Sequence, residues 1–445
     1  MYKPFEVRDV SLANISIRSE VGRSYYLVAA CLSLLLFVGL HFQGIPIIPE
    51  CGDGWAYWQG AISISTGSGY RDFSGSPILF WPPAYSAYLA AWTVLFGSTA
   101  IAMVLGNALL VIVQTLLWCH LFLSSASRSS RFAKAFIAVY IGLFVSLNHP
   151  SLYAHNLLDT ILPGLLISVR MLISAKDSRA SITWVGVVTI LGTFCLLTHN
   201  SAIVFVLAVA AVTIVMGSGQ FVVRVITGFV IAAVPIAVWS SVRSITGQNA
   251  SHSIGRAEGF FSPGEYLRQL LHGLGSLITF DRSYLPEAVV FLTMFTIGVG
   301  IYMGKDRKLL QFVSFFVLCA LSGLLLIFCF TSLPNQPLNG RFIVFVPLVL
   351  VPPLFLTLSH RFQVSSIAAA IVLIGPPVYW SGQWTFIRIV YSLDQQGFPT
   401  GFVPYHASID PSIPSETAVR SDGEWRVGVC NWWRPRQRGA KGPLG

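Results

Sequence analysis

In a chain of 445 residues, 54% apolar and only 10% charged, there is far more apolar surface than one water-soluble core can bury. Lys and Arg exceed Asp and Glu by 28 to 18, but the excess is spread over short loops, which argues against the aromatic-interleaved basic patch of a nucleic-acid-binding protein. The expected solvent is the lipid bilayer, which offers backbone groups no hydrogen-bond partners, so the apolar runs should be helices.

The runs also lack the ten-residue alternation of an outer-membrane barrel, and the fold class expected is an all-α integral membrane protein. Residues 1–24 form a short N-terminal segment with Lys3, Arg8, Arg18 and Arg23 ahead of the first apolar run, YYLVAACLSLLLFVGL. The sequence after that run, HFQGIPIIPECG, has no small-x-small cleavage site, so it reads as an uncleaved signal anchor. Membrane spans are expected near residues 25–43, 100–123, 134–148, 157–173, 182–198, 201–216, 221–240, 287–304, 309–331, 342–358 and 363–381, about eleven in all, within a transmembrane domain of residues 25–382. Residues 383–445 are more polar and read as a small extracytoplasmic tail.

Between these spans the basic residues alternate. Arg128, Arg131 and Lys134, then Lys176 and Arg179, Arg224, Lys305, Arg307 and Lys308, and Arg361 all fall on the side of the N-terminus, which should be the cytoplasm. The long, chemically varied loops then share the opposite side. The stretch PPAYSAYLAAWTVLFG, residues 82–97, is apolar enough to be counted as a further span, but counting it would invert this asymmetry, so it is expected to be an interfacial or partly inserted helix. A second interfacial helix is expected after Asp53, with Trp55, Trp58 and Ile62 at helical spacing and the Trp rings at headgroup level. Five cysteines lie in apolar runs as small hydrophobes; Cys51 and Cys430 lie outside them and can pair.

The first outer loop, CGDGWAYWQGAISISTGSGYRDFSGSPILFWPPAYSAYLAAW, combines an acidic residue on a Gly-flanked turn, an aromatic helix, a Gly-Tyr turn and a W-P-P-x-Y return. That pattern resembles the first outer loop of the GT-C glycosyltransferases, in the group that includes protein O-mannosyltransferases and lipid A aminoarabinose transferases. Four further segments follow in an order similar to the family's: NHPSLYAHNLLDTILPGLLI with Asp159, LGTFCLLTHNSAIVF, PIAVWSSVRSITG with Arg243, and NGRFIVFVPLVLVPP with Arg341. In the second of these the chain has His199 and Asn200 where the family usually has Arg and Pro. The resemblance implies a polyprenyl-phosphate sugar donor, a lipid, glycan or protein acceptor, inversion at the sugar carbon, and an active site on the extracytoplasmic face of a multi-pass protein, as in a bacterial inner membrane.

The residues themselves suit that chemistry. Transfer from a lipid phosphate needs a base for the incoming hydroxyl and cations to hold the departing phosphate. Asp53 would be the catalytic base, and Arg243, Arg341, Tyr57, Asp159 and His199 would bind substrate, although an Asp can also cap a helix and an Arg can also snorkel to headgroups. His155 and Asp159 are four apart on one helix face, where they can share a divalent metal ion or bond to each other. In the loop near residue 265, SPGEYLRQLLHG reads as a surface helix, and Glu265 and Arg268 are assigned no catalytic role. A transporter or flippase is the alternative from another class, but the internal prolines form no matched set in two halves. A surface-polysaccharide polymerase or ligase would differ mainly in acceptor.

Overall fold

The computed structural model describes residues 20–42, 53–72, 75–79, 81–97, 100–124, 131–148, 154–175, 178–216, 219–245, 308–331 and 345–361, and singly residues 264 and 298. Every regular element among them is a helix. They are α1 Glu20–Phe42, α2 Asp53–Ser65, α3 Ala84–Phe96, α4 Ala100–Leu123, α5 Arg131–Asn148, α6 Ala154–Ser174, α7 Ser178–Thr198, α8 Ala202–Met216, α9 Gly219–Ile245, α10 Lys308–Thr331 and α11 Phe345–Arg361. Four stretches are long and apolar enough to cross a membrane, Gly22–Gly39, Ile101–Leu123, Arg179–Thr198 and Val222–Val242. Nine of the expected spans coincide with described helices; 287–304, apart from residue 298, and 363–381 lie outside the described residues, as do the tail, Arg341, Glu265, Arg268, Cys51 and Cys430.

α3 decides how residues 82–97 are used. Pro82 and Pro83 start it, with Ala87 N–H donating to the Pro83 carbonyl at 2.8 Å, and Gly97 at φ 79° ends it. Its 13 residues extend about 20 Å, short of the ~30 Å hydrocarbon core. α3 packs instead across α2, and Trp58 and Ile62, only 2% and 5% exposed, join the same apolar core as the bundle helices. Trp58, expected at headgroup level, is thus enclosed by protein.

Helix directions follow from matched contacts. The Ser146 hydroxyl donates to the Ser33 carbonyl, and a Cβ placed on Gly142 would stand 2.9 Å from the Ala29 carbonyl, so α1 and α5 run parallel. Asn107 meets Asn156, Leu110 meets Thr160, and Leu117 meets Gly164, so α4 and α6 are also parallel. Arg224 Nη1 donates to Ser181 Oγ at 2.6 Å while Gly228 faces Val188 and Gly192 faces Ala232, which makes α7 and α9 the third parallel pair. α6 and α7 are antiparallel, with His155 against His199 and Gly164 against Leu191. Because the His120 ring lies 6.5 Å from Tyr26, α4 ends where α1 begins.

These directions bring Arg23, His120, Arg131, Lys134, Arg170, Arg179 and Arg224 to one end of the bundle, the basic end. α4 sits at the centre against α1, α3, α5, α6 and α11, with 56% of its apolar stretch buried compared with 17–28% for those of α1, α7 and α9. On α9 the exposed residues Val223, Val230, Val234 and Val238 recur at helical spacing. So long an apolar stripe is unfavourable in water and suits a lipid surface.

Candidate functional site

The end opposite the basic residues is built around the α2–α3 hairpin. Asp53 is the first residue of α2, where the exposed N–H groups and dipole of a helix start favour a carboxylate. One turn on, Tyr57 is fully buried. Its ring makes edge contacts with Tyr85 at 5.2 Å and Trp81 at 6.3 Å, and its carbonyl accepts a bond from Ser86 Oγ at 2.9 Å. In this structure Tyr57, expected among the substrate-binding residues, packs the hairpin.

The connection after α2 turns back at Gly67 and Gly69, both with φ near +80° (76° and 83°), a conformation that costs glycine little. Ile78 N–H donates to the Tyr70 carbonyl, and Asp72 accepts the Ser76 N–H at 2.9 Å. Arg71 is bound within this turn, its Nη1 donating to the Gly75 carbonyl at 2.7 Å and its Nε to the Ser68 carbonyl at 3.2 Å. The Tyr70 ring fits over Gly60, where an added Cβ would come within 2.3 Å of it. Burial pushes the Tyr70 phenol well above its ordinary value, an effect the Ser86 hydroxyl partly offsets. The same ring lies 5.9 Å from Trp239 of α9, so the hairpin rests against the end of α9, and Arg243 follows Trp239 by one turn. The side chains of Asp53 and Arg243 lie outside the described atoms.

Beside the hairpin lie the polar residues of α6 and the α7–α8 turn. His155 and Asp159, both 3% exposed, look across to α7: the His155 ring stands 4.4 Å from His199, and Asp159 is within electrostatic reach of Cys195. His199 is half-buried at the start of α8, its carbonyl accepting the Ala202 N–H at 3.0 Å. The backbone N–H of Ser201, which can only donate, points at His199 Nδ1 at 3.1 Å, and Ser201 Oγ lies 2.8 Å from the same nitrogen. With the Ser201 N–H directed at it, Nδ1 serves as an acceptor.

The sequence reading missed the network between these two parts. Asn107 of α4, fully buried, accepts at Oδ1 from the Tyr85 hydroxyl at 3.2 Å and from Asn156 Nδ2 at 3.0 Å, and Thr160 Oγ1 donates to the Asn156 carbonyl at 2.6 Å. An amide inside the apolar run IAMVLGNALLVIVQ was the available signal, because such a group is costly in a bundle unless it is bonded.

The chain matches no family model, no curated protein and no solved structure. Among the described residues, no three or more His, Cys, Asp or Glu side chains are arranged to hold a metal ion. What the site offers is a helix start at Asp53, the buried His155 and Asp159, and the half-buried His199 ring at one end of the bundle.

Proposed function

We propose that the protein transfers a sugar from a polyprenyl-phosphate-linked donor to a hydroxyl acceptor, which can be a lipid, a glycan or a protein, at the end of the bundle opposite its basic residues. One observation carries the reading: the helix start with Asp53, the end of α9 with Arg243 and the His155–Asp159–His199 group share that end. Ordered positioning of a base and of anion-stabilising groups is what this transfer requires.

In the reaction the acceptor oxygen attacks the anomeric carbon, the bond from that carbon to the phosphate oxygen breaks, and the hydroxyl proton passes to the Asp53 carboxylate. The leaving phosphate keeps the electron pair of the broken bond, and Arg243 and Arg341 offset its charge. His199 stands where the glycosyltransferases this chain resembles usually have an Arg, and lines the same end. Buried Asp159 and His155 shape the wall beneath it. With the basic end in the cytoplasm, as the Lys and Arg bias of cytoplasmic loops predicts, transfer takes place at the extracytoplasmic face of a multi-pass membrane protein.

Asp53→Asn keeps the size of the side chain and removes the base. In liposomes containing the purified protein, a labelled polyprenyl-phosphate sugar and an alcohol acceptor, the variant is expected to transfer about 10²–10⁴ times more slowly. A rate equal to that of the unmodified protein would defeat the assignment.

A further inference from the structure

Asn107 has no exposed surface, and its single Oδ1 receives donors from two different elements, Tyr85 of α3 at 3.2 Å and Asn156 of α6 at 3.0 Å. The two donors lead in different directions. Tyr85 packs edge-on against Tyr57, one turn beyond Asp53, and its neighbour Ser86 holds the Tyr57 carbonyl, so a displaced Tyr85 would carry α2 with it. Asn156 directly follows His155, and the Asn156 carbonyl is held by Thr160. The aromatic contacts within the hairpin can slide at little cost, whereas a hydrogen bond weakens steeply when its angle changes.

We propose that Asn107 is a positioning residue: its Oδ1 holds the α2–α3 hairpin, and with it the start of α2 at Asp53, in register with the His155–Asp159–His199 end of α6 and α7. Asn107 touches no reacting atom. Its catalytic consequence rests on the function proposed above, while the placement of the hairpin does not.

Two substitutions in the full-length protein in lipid nanodiscs test the proposal by amide hydrogen exchange. Asn107→Leu deletes the shared acceptor at similar size, and Tyr85→Phe deletes only the donor from the hairpin. Both are expected to raise exchange across α2 and α3 by about tenfold, the loss of one buried hydrogen bond, while α7 and α9 keep their protection. In the transfer assay kcat per folded protein, with the folded fraction counted from the protection kept by α7 and α9, is expected to fall; loss of folded protein alone would leave that ratio unchanged. If Asn107→Leu does not fold, Tyr85→Phe alone decides. Exchange at the original rate in α2 and α3, or a rise spread evenly over all helices, overturns the proposal. A wild-type protein that transfers no sugar would defeat the function reading, and the exchange result would still decide this one.

Discussion

Gln114 lies on α4 two turns beyond Asn107, is fully buried like it, and meets no partner at either Oε1 or Nε2 among the described residues. Thr115 Oγ1 and Trp118 Nε1 beside it are in the same condition. A buried amide with nothing to bond costs roughly 1–3 kcal/mol, so Gln114→Leu is expected to stabilise the protein by about that amount, read as a higher unfolding midpoint in micelles. A lower midpoint would mean that the amide is engaged. In sequence, Asn107 and Gln114 look alike, each a lone amide in an apolar run. What separates them is contact with residues 22 and 49 positions away in the chain, and no local spacing encodes that. Asp53, His155, Asp159 and His199 were legible because an ionisable group near the end of an apolar helix is conspicuous by itself.

Among the helices, close approach is set by small residues. Gly142 lets α5 come so near α1 that a methyl group there would press on the Ala29 carbonyl, a backbone atom that cannot swing aside. Gly142→Ala is therefore expected to cost about 1–3 kcal/mol, seen as lower resistance to unfolding in denaturing detergent, whereas Gly186→Ala, where an added Cβ meets nothing within 4 Å, should be nearly silent. Helix existence was readable from apolar runs and Pro or Gly punctuation, and the expected starts and stops lie within a few residues of the observed ones. The role of α2 was not. Trp58 and Ile62 have the spacing of an interfacial stripe, yet both are buried in protein, and a lipid-facing stripe and a protein-facing one read the same in sequence.

At the scale of the whole molecule the basic residues and the candidate site occupy opposite ends. In a cysteine-free background, an impermeant thiol reagent on sealed right-side-out vesicles is expected to modify Ser68→Cys and Asn200→Cys, and to reach Ser124→Cys only after the vesicles are opened. Modification of all three together would remove the sidedness on which the proposed function depends. The sequence alone indicated the helical class and the order of the described helices, because hydropathy and the cost of unbonded backbone in lipid act on each segment separately. Only the tertiary structure decided which helices run side by side, that the α2–α3 hairpin rests on α9, that His155 faces His199, and that Asn107 joins α3 to α6. Those depend on side-chain contacts between segments far apart in the chain, and the pattern within any one segment is the same whichever partner it meets.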